Sequence, residues 1–270
     1  MLVRDYKSII KGMNIKRSLG QNFLVNEEIA KLEAQYATER NVVELGPGLG
    51  ILTKELCSVA SRVVAVEYDS SMYNFLKSTM KHRNLDLINM DFFKLKREKL
   101  GKIDIMISNI PYKLSSRVIM WLSANKIPAV LCLQKEFVEH MLAKSNTKKY
   151  SKLSIICALQ FSVYHLMNVG SSNFYPEPRV NSAIIYMKPK EKAIDSETLS
   201  TINLLMMHKK KKLRNAILDS LSSLAIDKSS AKNLIGRIEE RDKRLFQLKP
   251  ENIRLIAERI NKLLKQNQKE

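Results

Sequence analysis

The stretch Val42-Val43-Glu44-Leu45-Gly46-Pro47-Gly48-Leu49-Gly50 constrains the fold more than any other part of the chain. An apolar, β-branched run enters a turn with glycine at alternate positions, and a helical pattern begins at Ile51. Strand, glycine turn and helix in that order open a βαβ unit. Glycine lets the backbone pass close to a ligand in conformations closed to other residues. More strands of the same kind are predicted at Arg62–Glu67, Leu85–Asn89, Ile103–Ser108 and Ala129–Gln134. Amphipathic segments at Ile51–Ala60, Ser70–His82, Ser115–Ala124 and Lys135–Lys144 alternate with them. The alternation predicts an α/β fold, a mostly parallel sheet covered by helices on both faces. The last two strand candidates, Leu153–Ser162 and Ser182–Met187, are separated only by Val163–Pro178, which suits an antiparallel hairpin closing the sheet.

After Lys188-Pro189-Lys190 the strand signal ends. Ser196–His208, Lys212–Leu224, Ser229–Ile238 and Glu251–Leu264 read as helices, with Asp227 and Pro250 near helix starts. The expected organisation is a ligand-binding α/β domain over 1–188 and a small all-helical domain over 189–270. Charge adds a partner class. With 46 Lys+Arg against 27 Asp+Glu the chain carries +19, a field that favours a polyanion. The segment from Lys188 to Glu270 is the denser part, with 20 basic residues against 11 acidic. Lys209-Lys210-Lys211-Lys212 and Arg214 are candidate phosphate contacts there, a solvated helix face being the plainer alternative.

Other classes are disfavoured. Cys57, Cys132 and Cys157 lie far apart in apolar stretches without a C-x-x-C pair, and His82, His140, His165 and His208 form no ligand-spaced cluster. Neither a disulfide framework nor a metal centre is expected. No apolar run approaches the roughly 18–20 residues of a membrane span. Arg4, Lys7, Lys11 and Lys16 could mimic a presequence, but motif residues follow almost at once. A cytoplasmic monomer is the default expectation.

The turn is spaced E-x-G-x-G-x-G, unlike the G-x-G-x-x-G of dinucleotide sites, and lacks the third glycine that packs helix on strand beside a pyrophosphate. Pro47 stiffens it. Glu67 ends the next strand, where a carboxylate can accept from both ribose hydroxyls; Asp69 competes for that role. Asp91, in Asn89-Met90-Asp91-Phe92, follows the third strand, placed to accept from an adenine amine while Met90 or Phe92 packs on the ring. A helix N-cap is its plainer reading. This set favours S-adenosylmethionine as the ligand.

Asn109-Ile110-Pro111-Tyr112 leaves the C-terminal end of the Ile103–Ser108 strand, the end at which open α/β sheets bind ligands. An Asn109 oxygen and the Ile110 carbonyl, facing the two N–H bonds of an adenine amine, would favour the pyramidal nitrogen that develops as it attacks a methyl group. Pro111 holds Ile110 extended. Tyr112 offers a face on which an extruded base can stack.

At this point the chain resembles the ribosomal RNA adenine N6,N6-dimethyltransferases, the KsgA/RsmA family. The resemblance rests on Ser18-Leu19-Gly20-Gln21-Asn22-Phe23-Leu24, Glu44 to Gly50, Glu67, Asp91, Asn109 to Tyr112, and Phe174-Tyr175-Pro176-Glu177-Pro178-Arg179-Val180-Asn181-Ser182. It implies a Rossmann-like class I S-adenosylmethionine methyltransferase domain with the helical domain as a basic RNA-docking appendage. It also implies that Asn22, Leu24, Gly46, Glu67, Asp91 and Asn109 line the cofactor site, and that Phe174 faces Tyr112 across the target adenine; a core plug is the other reading of Phe174. Family members dimethylate two adjacent adenosines in the 3′-terminal hairpin loop of 16S small-subunit rRNA as the subunit is assembled. The large-subunit rRNA methyltransferases of macrolide resistance share the Asn-Ile-Pro-Tyr form, and a non-catalytic assembly factor can share the fold. The Gly46-Pro47-Gly48 turn, Gln134-Lys135-Glu136 and Lys149-Tyr150-Ser151-Lys152-Leu153-Ser154 resemble the small-subunit enzymes. Two departures put loop geometry in question: Ser151 stands where glycine is usual, and Gly170 where proline is common.

Overall fold

The structure is a computed structural model that describes residues 21–224 and 227–267. Ser18-Leu19-Gly20 and the basic Arg4, Lys7, Lys11 and Lys16 lie outside the described residues. The chain forms two compact units. One holds the described residues up to Lys135 together with Val163–Lys188; the other holds Glu136–Ser162 and the chain from Pro189 onward.

The first unit is built on a seven-stranded sheet. Its strands are β2 (Asn41–Leu45), β3 (Arg62–Glu67), β4 (Leu85–Asn89), β5 (Ile105–Asn109), β6 (Ala129–Gln134), β7 (Phe161–Val169) and β9 (Ser182–Pro189), in the order β4-β3-β2-β5-β6-β9-β7. Strands β4 to β6 are parallel to their neighbours, and β9 runs antiparallel to β6, with Leu131 opposite Ile185. Helices α1 (Glu27–Ala34), α2 (Ile51–Val59), α3 (Ser70–Thr79) and α4 (Ser115–Asn125) accompany it. Val42, Val63, Ala65, Ile105, Ile107 and Val130 are fully buried in one core with Leu52 and Leu56. Strands covered on both faces need no polar positions, so they read as continuous apolar runs. The chain steps outward from β2 to β4 and then returns to place β5 on the other side of β2. That reversal opens a crevice at the strand C-termini.

One short ladder was not foreseen. Phe23–Leu24 (β1) pairs antiparallel with Phe174–Tyr175 (β8), Phe23 opposite Tyr175 and Leu24 opposite Phe174. Asn26 fixes its outlet, capping α1 through Glu28 and Ile29 N–H and donating to Asn173 Oδ1 at 2.8 Å. Two motifs about 150 residues apart are therefore one piece of structure.

The second unit holds α5 (Lys135–Met141, but for its first residue), α6 (Lys152–Gln160), α7 (Ser196–Met206), α8 (Leu213–Asp219), α9 (Leu221–Leu224), α10 (Lys228–Gly236) and α11 (Pro250–Asn267). Here the expectation fails in one place: Leu153–Ser162 is not a strand. Lys152–Gln160 is helical, with Ile155 and Leu159 packed among Ile202, Leu205, Ile217, Ile253 and Ile256. A short apolar run has no periodicity to separate a buried helix from a buried strand. The strand follows at Phe161–Val169, in what was read as connector. Residues 136–162 fall in the helical unit, which the chain enters again at Pro189. Tyr150 is a core residue of this unit, its hydroxyl donating to the Leu248 carbonyl at 2.9 Å. Ser151 has φ −153° and ψ 175°, extended backbone that any residue adopts, so serine suits the site as well as glycine.

Candidate functional site

A cavity of about 320 Å³ lies in the crevice at the strand C-termini of the first unit. Leu45, Gly46 and Gly48 come from the β2 turn, Val66 and Glu67 from β3, and Met90 and Asp91 from beyond β4. Asn109, Ile110, Pro111 and Tyr112 come from beyond β5, and Gln21, Asn22 and Phe174 complete the wall. Sequence reasoning thus named residues that the fold brings together, with one exception. Leu24 does not line the cavity; its side chain is in the core and its backbone is the partner of Phe174.

Gly46, Gly48 and Gly50 all have positive φ, at +71°, +56° and +80°. A Cβ on Gly48 would lie 2.7 Å from a Phe23 ring carbon, so the turn needs glycine there for space as well as for conformation. Gly46 is 3.7 Å, as a hypothetical Cβ, from Pro111 Cδ. The glycine turn and the Asn109 loop therefore abut.

Three buried carboxyls border this turn. Glu67 accepts from Gly48 N–H at 3.1 Å and from Asp69 N–H at 2.8 Å. Burial raises its pKa against the pull of those bonds. The Tyr68 backbone also acts on it, and the roughly four lone-pair sites of a carboxylate are not filled by these donors, which leaves room for a ligand. Asp69 is instead the N-cap of α3 and does not line the cavity. Glu44 accepts from Thr53 Oγ1 at 2.7 Å, and burial pushes it up to about 8. Glu33, on α1, accepts from Asn109 Nδ2 at 3.2 Å and is likewise pushed up to about 8 by burial. Sequence reasoning missed Glu33. Its signal was an acid on the apolar stripe Ile29, Ala30, Glu33, Ala34.

Asp91 takes its plainer role, one oxygen capping the following turn through Phe93 N–H at 2.9 Å, and the residue also lines the cavity. Phe92 is buried edge-on against Trp121, and the Arg117 guanidinium lies 3.9 Å over the Phe93 ring at the rim. In the Asn109 loop, Oδ1 is shielded from solvent and has no hydrogen-bond partner among the described residues. The Tyr112 hydroxyl is 2.9 Å from Ser182 Oγ, which ties the ring to β9, and burial raises its pKa. Phe174 is both core residue and cavity wall.

In the second unit, Lys209–Lys212 forms the turn between α7 and α8, not a helix face. Much of its charge is engaged. Lys209 Nζ donates to the Tyr150 carbonyl, Lys211 pairs with Asp219 at 2.7 Å, and Lys212 and Arg214 share Asp242. No group of three or more His, Cys, Asp or Glu able to hold a metal is present among the described residues.

The family model for ribosomal RNA adenine dimethylase matches residues 12–262. A probable ribosomal RNA small subunit methyltransferase A of Thermococcus sibiricus is 35% identical over 261 residues, 93% of this chain and 94% of its own length. Its namesake in Methanothermobacter thermautotrophicus is 34% identical over 257 residues, 93% of each chain. Among solved structures, a dimethyladenosine transferase from Plasmodium falciparum matches with a TM-score of 0.74 and 27% identity, over 89% of this chain and 98% of that one. The 23S rRNA methyltransferase ErmE shares the fold, with a TM-score of 0.59 and 23% identity over 89% and 100% of the two chains.

Proposed function

Because the chain belongs to the ribosomal RNA adenine dimethylase family, we propose that it transfers methyl groups from S-adenosylmethionine to the N6 amines of two adjacent adenosines in the 3′-terminal hairpin loop of small-subunit rRNA, during assembly of that subunit. The relatives of 31–35% identity carry a small-subunit name, whereas the likeness to the large-subunit enzyme is one of fold.

The cavity suits the donor. Glu67 has lone pairs free for the ribose hydroxyls, the glycine turn brings backbone close, Asp91 keeps an oxygen for the adenine amine, and Asn22 lies on the wall. When bound, S-adenosylmethionine supplies an electrophilic methyl carbon on a sulfonium. The chain's own contribution is to place and polarise the nucleophile. The lone pair of an adenine amine is delocalised into the ring, and acceptors on its two N–H bonds release it. Asn109 Oδ1 is one such acceptor and carries this reading: a desolvated oxygen without a partner costs about 1–3 kcal/mol, and an amine N–H is the group that would relieve it. The Ile110 carbonyl, held by Pro111, is the second. Tyr112, anchored to Ser182, and Phe174 provide aromatic walls for the base. With the donor bound, its methyl would pass to the nitrogen with the thioether as leaving group and the surplus proton would go to solvent. The chain's part is to hold the amine in line, and no general base is needed among its residues.

Docking on rRNA would fall to the basic second unit. Its Lys211, Lys212 and Arg214 would exchange Asp219 and Asp242 for phosphate, and binding would weaken with salt. Action in the cytoplasm, as a monomer, belongs to the same proposal. The three free, buried cysteines suit a reducing compartment, and no described helix is long and apolar enough to cross a membrane.

The test is incubation of the protein and labelled S-adenosylmethionine with unmethylated small subunits, followed by mass analysis of the rRNA. Dimethyladenosine in the 3′-terminal hairpin is expected. Asn109→Ala should lower kcat by roughly 100-fold or more, as loss of one transition-state acceptor does, with cofactor binding retained. Label in large-subunit rRNA instead would refute the small-subunit assignment.

A further inference from the structure

The Asn109 amide has two ends, and the fold holds only one. Nδ2 donates to Glu33 Oε2 at 3.2 Å, while Oδ1 has no partner. The two ends are nearly equal in size but opposite in chemistry. Turned by half a revolution, the side chain would present N–H groups where the target amine needs an acceptor, and two donors would meet. Something must select the orientation before substrate arrives. Backbone geometry cannot, because the amide rotates about its last single bond.

Glu33 is placed to make the selection. It comes from α1, 76 residues away in sequence, and is 1% exposed. It occupies an apolar stripe with Ile29, Ala30 and Ala34, a position where a carboxyl is costly. Its recorded hydrogen bond is the one to Asn109, and its other oxygen, Oε1, has none among the described residues. An acid kept in a core for a single contact points to that contact as its use.

We propose that Glu33 is a positioning residue for methyl transfer, holding the Asn109 amide so that Oδ1, and not Nδ2, is offered to the target amine. This rests on the reading of Asn109 given above. As a carboxylate Glu33 can only accept and makes the selection outright. The neutral carboxyl still offers Nδ2 a carbonyl oxygen but also carries an O–H able to serve Oδ1, so the selection weakens on protonation. Burial favours that neutral form, and the neighbouring Glu44 carboxyl acts in the same direction.

Two variants separate positioning from a general structural role. Glu33→Gln keeps an oxygen that can accept from Nδ2, whereas Glu33→Leu keeps the volume and removes the acceptor. The readouts are kcat and KM on small subunits, cofactor affinity, and hydrogen-exchange protection of the Asn109 side-chain NH2, assigned by its disappearance in Asn109→Ala. Glu33→Leu should lower kcat by roughly 10- to 100-fold, leave cofactor affinity unchanged and abolish the NH2 protection. Glu33→Gln, whose amide can pair with either end of Asn109, should keep cofactor affinity and part of the NH2 protection and fall between the parent and Glu33→Leu in kcat. A folded Glu33→Leu with parental kcat and a still-protected amide would overturn the inference, as would a Glu33→Gln as impaired as Glu33→Leu. An unprotected Asn109 NH2 in the parent protein would overturn it too, even if Glu33→Leu did not fold. Absence of methyl transfer by the parent would count against the functional reading, while the exchange data would still decide the role of Glu33.

Discussion

Gly48→Ala should be the most damaging alanine substitution in the line Gly46, Gly48, Gly236, and the structure sets its size. Two costs add. A side chain held in the left-handed region, at φ +56°, costs about 1–2 kcal/mol. The new Cβ would also stand 2.7 and 2.8 Å from two Phe23 ring carbons, and overpacking of this kind costs about 1–3 kcal/mol. The ring has little freedom to retreat, since Phe23 is buried and is paired with Tyr175 in the β1–β8 ladder. A loss of about 2–5 kcal/mol is expected from the two together. Gly46→Ala meets Pro111 only at an ordinary 3.7 Å, so the conformational cost of about 1–2 kcal/mol stands alone. Gly236→Ala, at the end of α10, meets nothing within 4 Å and should stabilise by about 0.4–1 kcal/mol through the unfolded chain. Urea unfolding followed by circular dichroism ranks the three. Calorimetric titration with S-adenosylmethionine should show Gly48→Ala weakened as well, because the Gly48 N–H that steadies Glu67 moves with the turn. If Gly46→Ala and Gly48→Ala cost the same, conformation alone demands glycine, and the Phe23 contact is not part of the explanation.

The remaining predictions concern protons and a loop. Glu33 and Glu44 sit at about 8 when folded, far above their ordinary 4.5. Between those values the folded chain holds protons that the unfolded chain has released, so stability without ligand should fall as pH rises from 5 to 8 and level off above. The lowered Asp104 and Asp195 act oppositely, removing stability at more acid pH as they are protonated. Melting temperatures at fixed ionic strength should show this slope, and Glu33→Gln with Glu44→Gln should flatten it; a midpoint that climbs toward pH 8 contradicts the assignment. Gly170 has φ −66° and ψ 149°, values proline imposes, follows a strand residue and makes no recorded backbone donation. Gly170→Pro should therefore raise stability by about 0.4–1 kcal/mol. A lower urea midpoint in that variant would mean the loop needs the freedom of glycine.

Legibility in the sequence followed the physics of each signal. Strands β3 and β6 were readable to the residue because a parallel strand buried on both faces writes itself as an apolar run. The cavity wall was readable because Gly46, Glu67, Asp91 and Asn109 all stand at strand C-termini on either side of one reversal in strand order. Residues 152–169 were not readable. Helix α6 is apolar all round, and β7, with Tyr164 and His165 exposed, carries the polar residues of an edge. The β1–β8 ladder has two residues a side, too short for any pattern, so the burial of the Leu24 side chain beside the cavity could not be read in advance. Glu33 was hidden for another reason: its partner lies 76 residues away, and only the tertiary fold brings the two side chains together.

These contacts make the donor and acceptor halves of the site mechanically dependent. Pro111 rests against Gly46, Phe23 against Gly48, and Glu33 against Asn109, three junctions that join segments distant in sequence. Phe23 lies in the same ladder that positions Phe174, so the Phe174 wall of the cavity is tied through β1 to the glycine turn. A tightly packed interior transmits such displacements instead of absorbing them. Substitutions at such a junction should then fail to add: the pair Gly48→Ala with Phe23→Leu should show an interaction of about 0.5–3 kcal/mol, as expected of residues in contact. Gly46→Ala with Gly236→Ala, in different units, should add without remainder. Binding of the donor and placement of the adenine would in that case be one event in the fold, set by the meeting of two loops at a single reversal of strand order.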